Sequence, residues 1–103
     1  MTAVELSGAH VPPTSRSTLP ETERSYFFLT SAASPDLLAR VLNFFIKLDL
    51  MPYRIHVSTE HGAGEEMTIE LRFAGMELDM AERLAARCRT IIGVHSVITA
   101  SDG

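Results

Sequence analysis

The chain is 103 residues long and 46% hydrophobic, and it carries a net charge of −4 and a single cysteine. No apolar run approaches the roughly 18 residues needed to span a membrane, so we expect one small, soluble, cytoplasmic domain. The acidic balance disfavours nucleic acid binding, which needs a basic surface to neutralise phosphates, and the lone Cys88 excludes an intrachain disulfide.

The N-terminal stretch, residues 1–24, lacks a repeating apolar pattern. It contains three prolines and several serines and threonines, a composition typical of mobile segments. We therefore predict a flexible tail at 1–24, a domain at 25–100 and a short polar end at 101–103.

Residues 25–30 form a compact aromatic run that is apolar on both faces, which predicts a central strand. A short link joins it to a helix predicted over 34–48. Ser34 can cap this helix, Pro35 suits its first position, and Asp36 faces the positive end of the helix dipole. The side chains on its apolar stripe, taken at helical spacing, are Leu37, Leu38, Val41, Leu42, Phe45 and Leu48.

Phe44 and Ile46 lie on either edge of this stripe. They make the apolar face wider than one helix packed on one sheet usually needs. We predict that they contact something beyond the domain.

After the helix the pattern changes to strict alternation. Tyr53, Ile55 and Val57 alternate with polar residues, as in a half-buried strand. A glycine-rich reversal at 61–64 separates them from a second alternating run at 67–74. The two runs predict a hairpin with one solvated face.

A second helix follows Gly75, with acidic residues early and arginines late, the order that complements the helix dipole. Its apolar side chains are Met80, Ala81, Leu84, Ala85 and Cys88. Gly93 ends the next turn, and residues 94–99 supply the last predicted strand.

The predicted order is strand, helix, strand, strand, helix, strand, which is the split βαβ pattern of ferredoxin-like folds. We therefore predict an α+β sandwich of βαββαβ order, with a four-stranded antiparallel sheet and two helices on one face. The polar side chains expected on the other face are Arg54, His56, Ser58, Thr68, Glu70 and Arg72.

No combination of residues indicates catalysis or metal binding. The histidines are scattered, and only His56 and His61 could approach each other, across the hairpin. Cys88 lies in an apolar stripe, as a buried hydrophobic residue would. The first strand-to-helix loop offers neither paired thiols nor an arginine. We predict no catalytic residue, no metal and no cofactor.

Residues 26–98 resemble an ACT domain, the small-molecule-sensing module of amino-acid biosynthetic enzymes. The features that carry the resemblance are the aromatic strand, the short loop into the helix at Pro35, and the closing Gly93, Val94 and Val97. Within that family, the run Leu-Ala-Arg-Val at 38–41, followed by phenylalanines at 44 and 45, is similar to the small, regulatory subunit of acetolactate synthase.

The resemblance implies a non-catalytic domain that forms homodimers, edge to edge or through its helices, and binds an amino-acid effector at the loop before the first helix. The effector-site residues it implies are Ala32, Ala33, Ser34, Pro35, Asp36, Leu37 and Met51. The dimer or partner contacts it implies are Phe44, Ile46, Tyr53 and Ile55. In the acetolactate synthase case, the small subunit binds and activates a large, thiamine-diphosphate-dependent subunit.

Three residues depart from the family pattern at the effector site. Asp36 stands where ACT domains usually have a glycine, and its carboxylate would repel that of an effector, although the helix N-terminus partly offsets this. Ala33 and Met51 stand where valine-sensitive subunits have asparagines. We expect a weakened or absent effector site.

The leading hypothesis is therefore a regulatory subunit that binds and activates or stabilises an acetolactate-synthase-type enzyme. The alternative is a free-standing sensor that binds an amino acid at a dimer interface, which predicts thermal stabilisation by that amino acid. A third hypothesis is a small ferredoxin-like enzyme using His56 or His61, and it would need a pocket with converging polar groups.

Overall fold

A computed structural model of the chain describes residues 2–7, 23–60 and 65–102, with 2–7 and Asp102 described through their backbone alone. Its elements are β1 (Thr2–Ser7), β2 (Arg24–Ala32), α1 (Pro35–Lys47), β3 (Arg54–Glu60), β4 (Glu66–Ala74), α2 (Leu78–Cys88) and β5 (Val94–Asp102). The four predicted strands and both predicted helices form, as β2 to β5 with α1 and α2. The glycine-rich reversal at 61–64 lies outside the described residues.

The described strands form one antiparallel sheet in the order β1-β3-β4-β2-β5. The elements from β2 to β5 follow the βαββαβ order, which confirms the ferredoxin-like prediction. The aromatic strand β2 lies between β4 and β5, in the central position that its two apolar faces predict.

The sheet has a fifth strand at its edge, so the prediction of a flexible tail is wrong for Thr2–Ser7. β1 pairs with β3, with Val4 opposite Val57. The sequence of β1 alternates apolar and polar residues over a few positions only, which is too short to predict a strand. Its structure depends on hydrogen bonds to β3, a partner far along the chain. The rest of the predicted tail, 8–22, lies outside the described residues.

The first helix begins and ends where the sequence predicts. Ser34 is the N-cap, and its Oγ accepts a hydrogen bond from the Leu37 N–H at 3.4 Å. At the other end the Leu48 N–H donates to the Phe45 carbonyl at 3.1 Å. Asp49 then takes a left-handed conformation with φ 59°, which ends the helix and turns the chain towards β3.

The core fills the space between the helices and one face of the sheet. Phe27, Phe45 and Phe73 meet at its centre, with ring centroids 5.1 to 5.5 Å apart. Ring contacts of this kind add about 0.5–1.5 kcal/mol beyond simple burial. The other buried apolar side chains are Leu29, Leu37, Val41, Met67, Ile69, Leu71, Met76, Ala81, Leu84, Ala85, Cys88 and Val97.

The two helices share one sheet face. α2 contacts β5 and β2. Phe45 of α1 packs on Phe73 of β4, so α1 lies over the β4–β3 half of that face. Neither of the described helices is long and apolar enough to cross a membrane.

The opposite sheet face carries the predicted polar side chains beside the second face of β2. Arg72 forms an ion pair with Glu70 at 2.5 Å, and its guanidinium lies 5.0 Å from the centroid of the Tyr26 ring. The hydroxyls of Thr30 and Ser96 are hydrogen-bonded at 2.6 Å. Polar groups of this face are therefore paired with one another, Glu70 with Arg72 within β4 and Thr30 with Ser96 between β2 and β5.

Candidate functional site

The loop between β2 and α1 is held at both of its ends. The Ala32 N–H donates to the Gly93 carbonyl at 3.2 Å, which ties the end of β2 to the turn before β5. The carbonyl of the N-cap Ser34 accepts from the Leu38 N–H at 3.1 Å. Six of the predicted effector residues, 32–37, therefore lie together in one fixed segment at the N-terminal end of α1.

The carboxylate predicted to repel an effector forms an ion pair. Asp36 Oδ2 lies 2.8 Å from Arg40 Nη2, and the two side chains are 71% and 56% exposed. An exposed pair of this kind adds little to stability. It does place a positive charge beside the negative one, so Arg40 offsets part of the repulsion at the helix entrance.

Leu37 closes the inner side of the loop. Its side chain is buried and packs on Gly93, where an added Cβ would lie 2.8 Å from Leu37 Cδ2. Ala33 is half-buried and contributes no polar side chain. The loop is therefore lined by backbone, the Ser34 hydroxyl and apolar groups.

Met51, the seventh predicted effector residue, lies away from the loop. It is 82% exposed and follows the C-terminal end of α1. Because α1 has 13 residues, about 20 Å of helix separate Met51 from the loop. Within one copy of the chain the structure does not bring the two together, and amino-acid binding here stays a prediction.

Phe44 and Ile46, the predicted contacts on α1, face different flanks of the helix. Phe44 is half-buried, edge-on to Phe45 at 5.0 Å and beneath the guanidinium of Arg87, which lies 5.4 Å from its ring centroid. Ile46 is 64% exposed. At 100° per residue the two side chains lie about 200° apart around the helix. They cannot belong to one flat contact surface.

Tyr53 and Ile55, the predicted contacts near the sheet edge, lie within or beside β3. Ile55 packs against the core and is opposite Leu6 of β1. The Tyr53 N–H donates to the Arg72 carbonyl at 2.8 Å, and the Arg24 guanidinium lies 5.6 Å from its ring centroid. Because β1 covers β3, the open edges of the described sheet are β1 and β5. A second chain can reach β3 only in place of β1.

A groove of about 430 Å³ lies between the two helices. The residues that line it are Arg40, Asn43, Phe44, Lys47, Leu48, Arg87 and Ile91. Three cationic side chains thus stand beside three apolar ones, in a chain whose net charge is −4. This combination favours a partner that presents both apolar and acidic groups.

The sequence gives only part of the signal for this groove. Helical spacing places Arg40, Asn43 and Lys47 on one flank of α1. Their approach to Arg87 and Ile91 depends on how α2 packs beside α1, which no local pattern encodes. The groove was therefore absent from the sequence-based site.

Cys88 is fully buried, as predicted. Burial raises the pKa of its thiol to about 12, although Arg87 and Arg89 lower it in part. The thiol is protonated and enclosed at neutral pH, whereas a nucleophilic cysteine needs an accessible thiolate.

The described histidines lie in separate places. His56 is opposite Glu70 on β4, and His95 Nδ1 lies 3.4 Å from Glu66 Oε2 at an exposed position. His61 lies outside the described residues, and so does any approach between it and His56. Among the residues that the structure describes, no three acidic, histidine or cysteine side chains are grouped so that they could hold a metal.

A family model described as an ACT-like domain matches residues 20–101. The match includes both helices and strands β2 to β5 up to residue 101, whereas β1 lies outside it. No curated protein sequence matches the chain significantly.

Similar folds occur among solved structures. The ACT domain of GTP pyrophosphokinase from Chlorobium tepidum has a TM-score of 0.61 in its solution structure, with 16% identity over 77% of this chain and 88% of that chain. Its crystal structure has a TM-score of 0.60, with 16% identity over 75% and 96%. The C-terminal domain of the MgtC protein from Mycobacterium tuberculosis has a TM-score of 0.55, with 16% identity over 79% and 88%. At this identity the similarity concerns the fold alone.

Proposed function

Because the chain belongs to the ACT-like domain family, we propose that it is a non-catalytic regulatory subunit that works by binding another protein. The partner we propose is an acetolactate-synthase-type enzyme, which the chain activates or stabilises. The observation that carries the proposal is the groove between α1 and α2, with its cationic and apolar side chains.

The side chains of the groove are already positioned for a contact. Arg87 lies over the Phe44 ring, and Arg40 is paired with Asp36. Side chains that are ordered before binding lose less entropy when a partner arrives. Leu48, which is 38% exposed, adds apolar surface that a partner would remove from water. We therefore expect the partner surface to present carboxylates around an apolar side chain.

The effector loop supports a protein contact over metabolite sensing. The Asp36 carboxylate stands at the helix entrance with its charge only partly offset by Arg40, and Ala33 offers no side-chain hydrogen bond. Met51 lies a helix length away. A regulatory subunit can still activate its catalytic partner without an effector, since activation needs only a contact that favours the active state.

The choice of partner rests on the run Leu-Ala-Arg-Val at 38–41 and the phenylalanines that follow it. Val41 and Phe45 belong to the core, and packing explains them. Arg40 and Phe44 line the groove instead. Part of the motif therefore lies on the surface that we propose for the partner.

The test is co-purification of the full chain with the catalytic subunit of an acetolactate synthase from the same source, followed by an activity assay. We expect the two to purify together and the synthase rate to rise. Arg87→Glu should weaken binding by about tenfold or more, since like charges across an interface cost up to several kcal/mol.

Arg83→Glu is the matched control, because Arg83 lies one turn earlier on α2, pairs with Asp79 and does not line the groove. It should bind like the parent chain. Absence of co-purification and of activation would overturn the acetolactate synthase assignment. Binding that both variants weaken equally would overturn the groove as the contact surface.

A further inference from the structure

β1 occupies a place in the sheet that the rest of the domain leaves open. The family match begins at residue 20, so β1 is an addition to the matched domain. Without it, β3 would be the outer strand on that side. An outer strand presents unpaired backbone N–H and C=O groups that another chain can pair with.

β1 is far along the chain from the strand that it pairs with. Residues 8–53 separate it from β3, and they include β2 and α1. Most hairpin connections have about 2–5 residues, so β1 and β3 are not joined as a hairpin. The covalent connection favours pairing of β1 with β3, because it keeps β1 near that edge at an effective concentration in about the millimolar range.

The sequence of β3 is complementary to itself when read antiparallel. If two copies of β3 pair with Val57 opposite Val57, then Arg54 of each lies opposite Glu60 of the other. Opposite charges directly across a strand pair are stabilising. In this register even-numbered residues lie opposite even-numbered ones and odd opposite odd. The helices of both copies therefore lie on the same side of the joined sheet.

The exposed flank of α1 points to the same contact. Phe44 faces α2 across the groove, and Ile46 lies about 200° away around the helix. α1 lies over the β4–β3 half of the sheet, and its other flank faces α2. Ile46 therefore faces the β3 side, where it is 64% exposed. A second copy placed on β3 would bring its own α1 to this flank and would cover Ile46 in both copies.

We propose that β1 and a second copy of this chain compete for the same edge of β3. With β1 in place, the chain is held back from pairing through β3. When β1 leaves, two copies join through antiparallel β3 strands in the register centred on Val57. The inference concerns this edge only and holds whichever enzyme the helix groove binds.

The test uses the full chain with both Val4 and Glu5 changed to proline. Successive residues of a strand direct their N–H groups to opposite sides. The pair of prolines therefore removes the N–H that faces β3, whichever of the two residues carries it. The control is Val4→Ala with Glu5→Ala, which keeps both N–H groups. Sedimentation equilibrium should show the proline variant self-associating about tenfold or more tightly than the parent and the control, since more of it has a free edge.

The register is tested by reversing charges in the proline variant. Arg54→Glu should weaken its self-association, because the new carboxylate of each copy then faces Glu60 of the other. Arg54→Glu combined with Glu60→Arg should restore the association. Self-association of the proline variant equal to that of the alanine control would overturn the competition. Equal association of the single and the doubly exchanged variants would overturn the register.

A reversible lock gives a second measurement that does not need the proline variant. Ala3 is opposite Ser58, so Ala3→Cys with Ser58→Cys can join β1 to β3 by a disulfide. The oxidised chain should associate less at high concentration than the same chain after reduction. Equal association in both redox states would contradict the proposal.

Discussion

Leu37 and Gly93 position the loop before α1 through one close contact. Gly93 has a φ of +101°, which side chains rarely adopt, and its missing Cβ would lie 2.8 Å from Leu37 Cδ2. The Gly93 carbonyl also accepts from the Ala32 N–H. A larger residue at this position would strain the turn and displace the leucine on which the loop rests.

Gly93→Ala should therefore lower the free energy of unfolding by about 1–3 kcal/mol, the usual cost of such backbone strain. Urea unfolding followed by circular dichroism measures the loss. Adding Leu37→Val removes the clashing δ-carbons, so the double variant should lose less than the sum of the two single losses. Parental stability of Gly93→Ala would contradict the contact.

The sequence identifies Gly93 as the end of a turn, because glycine tolerates conformations that other residues avoid. It does not show that this turn lies against Leu37. That contact forms only when α1 and the start of β5 are brought together by the sheet. The residues of the loop could be predicted from the sequence, but the contact between Leu37 and Gly93 that positions the loop could not.

The two flanks of α1 have different roles. The flank that carries Phe44 faces the groove and packs against Phe45 and Arg87. The flank that carries Ile46 is open to solvent. The sequence places Phe44 and Ile46 on opposite edges of the apolar stripe, and the difference between their surroundings arises only because α2 lies on one side of the helix.

The two positions should therefore respond differently to a charge. Ile46→Glu should change the free energy of unfolding by no more than about 0.5 kcal/mol, as at other exposed sites. Phe44→Glu should lower it by about 1–3 kcal/mol, because a carboxylate replaces a packed ring. Thermal and urea unfolding of the two variants give the comparison, and equal losses would show that both side chains have the same environment.

The helices were easier to predict than β1 for a physical reason. α1 carries its own cap, a proline at its start and a full apolar stripe, all of which agree. β1 has six residues and draws its hydrogen bonds from β3. A strand that is stabilised only by distant partners has a weak signal in its own sequence.

At the scale of the molecule, the order of elements was predictable because each local pattern agreed with its neighbours. The alternation in β3 and β4, for example, already required a shared buried face. The groove and the covered edge of β3 were not predictable, since both depend on how distant elements meet. In this chain local patterns thus determine the domain, and long-range packing determines its contact surfaces.

Global stability should fall in alkaline solution because of Cys88. Its ordinary pKa is 9.0, and burial raises the pKa in the folded chain to about 12. Above pH 9.0 the unfolded chain loses the thiol proton while the folded chain keeps it, so ionisation favours unfolding. Below the ordinary value both states are protonated and the thiol has no effect.

Urea unfolding of the parent and of Cys88→Ala between about pH 8 and about pH 10.5 checks this sign. The parent should lose stability with a slope on the order of 1 kcal/mol per pH unit steeper than the variant. The comparison of slopes removes the contributions of all groups that the two proteins share. Identical slopes would show that the thiol ionises equally in the folded and unfolded chains.

The central place of β2 also decides when the sheet can be completed. β2 pairs with β4 on one side and β5 on the other, whereas β3 and β4 are neighbours both in sequence and in the sheet. Because distant segments cost more entropy to join, we expect the β3–β4 hairpin to form first and β5 to close the sheet last. During synthesis on the ribosome, the aromatic strand β2 would thus stay uncovered on one side until β5 emerges, and it is the segment that a chaperone would protect.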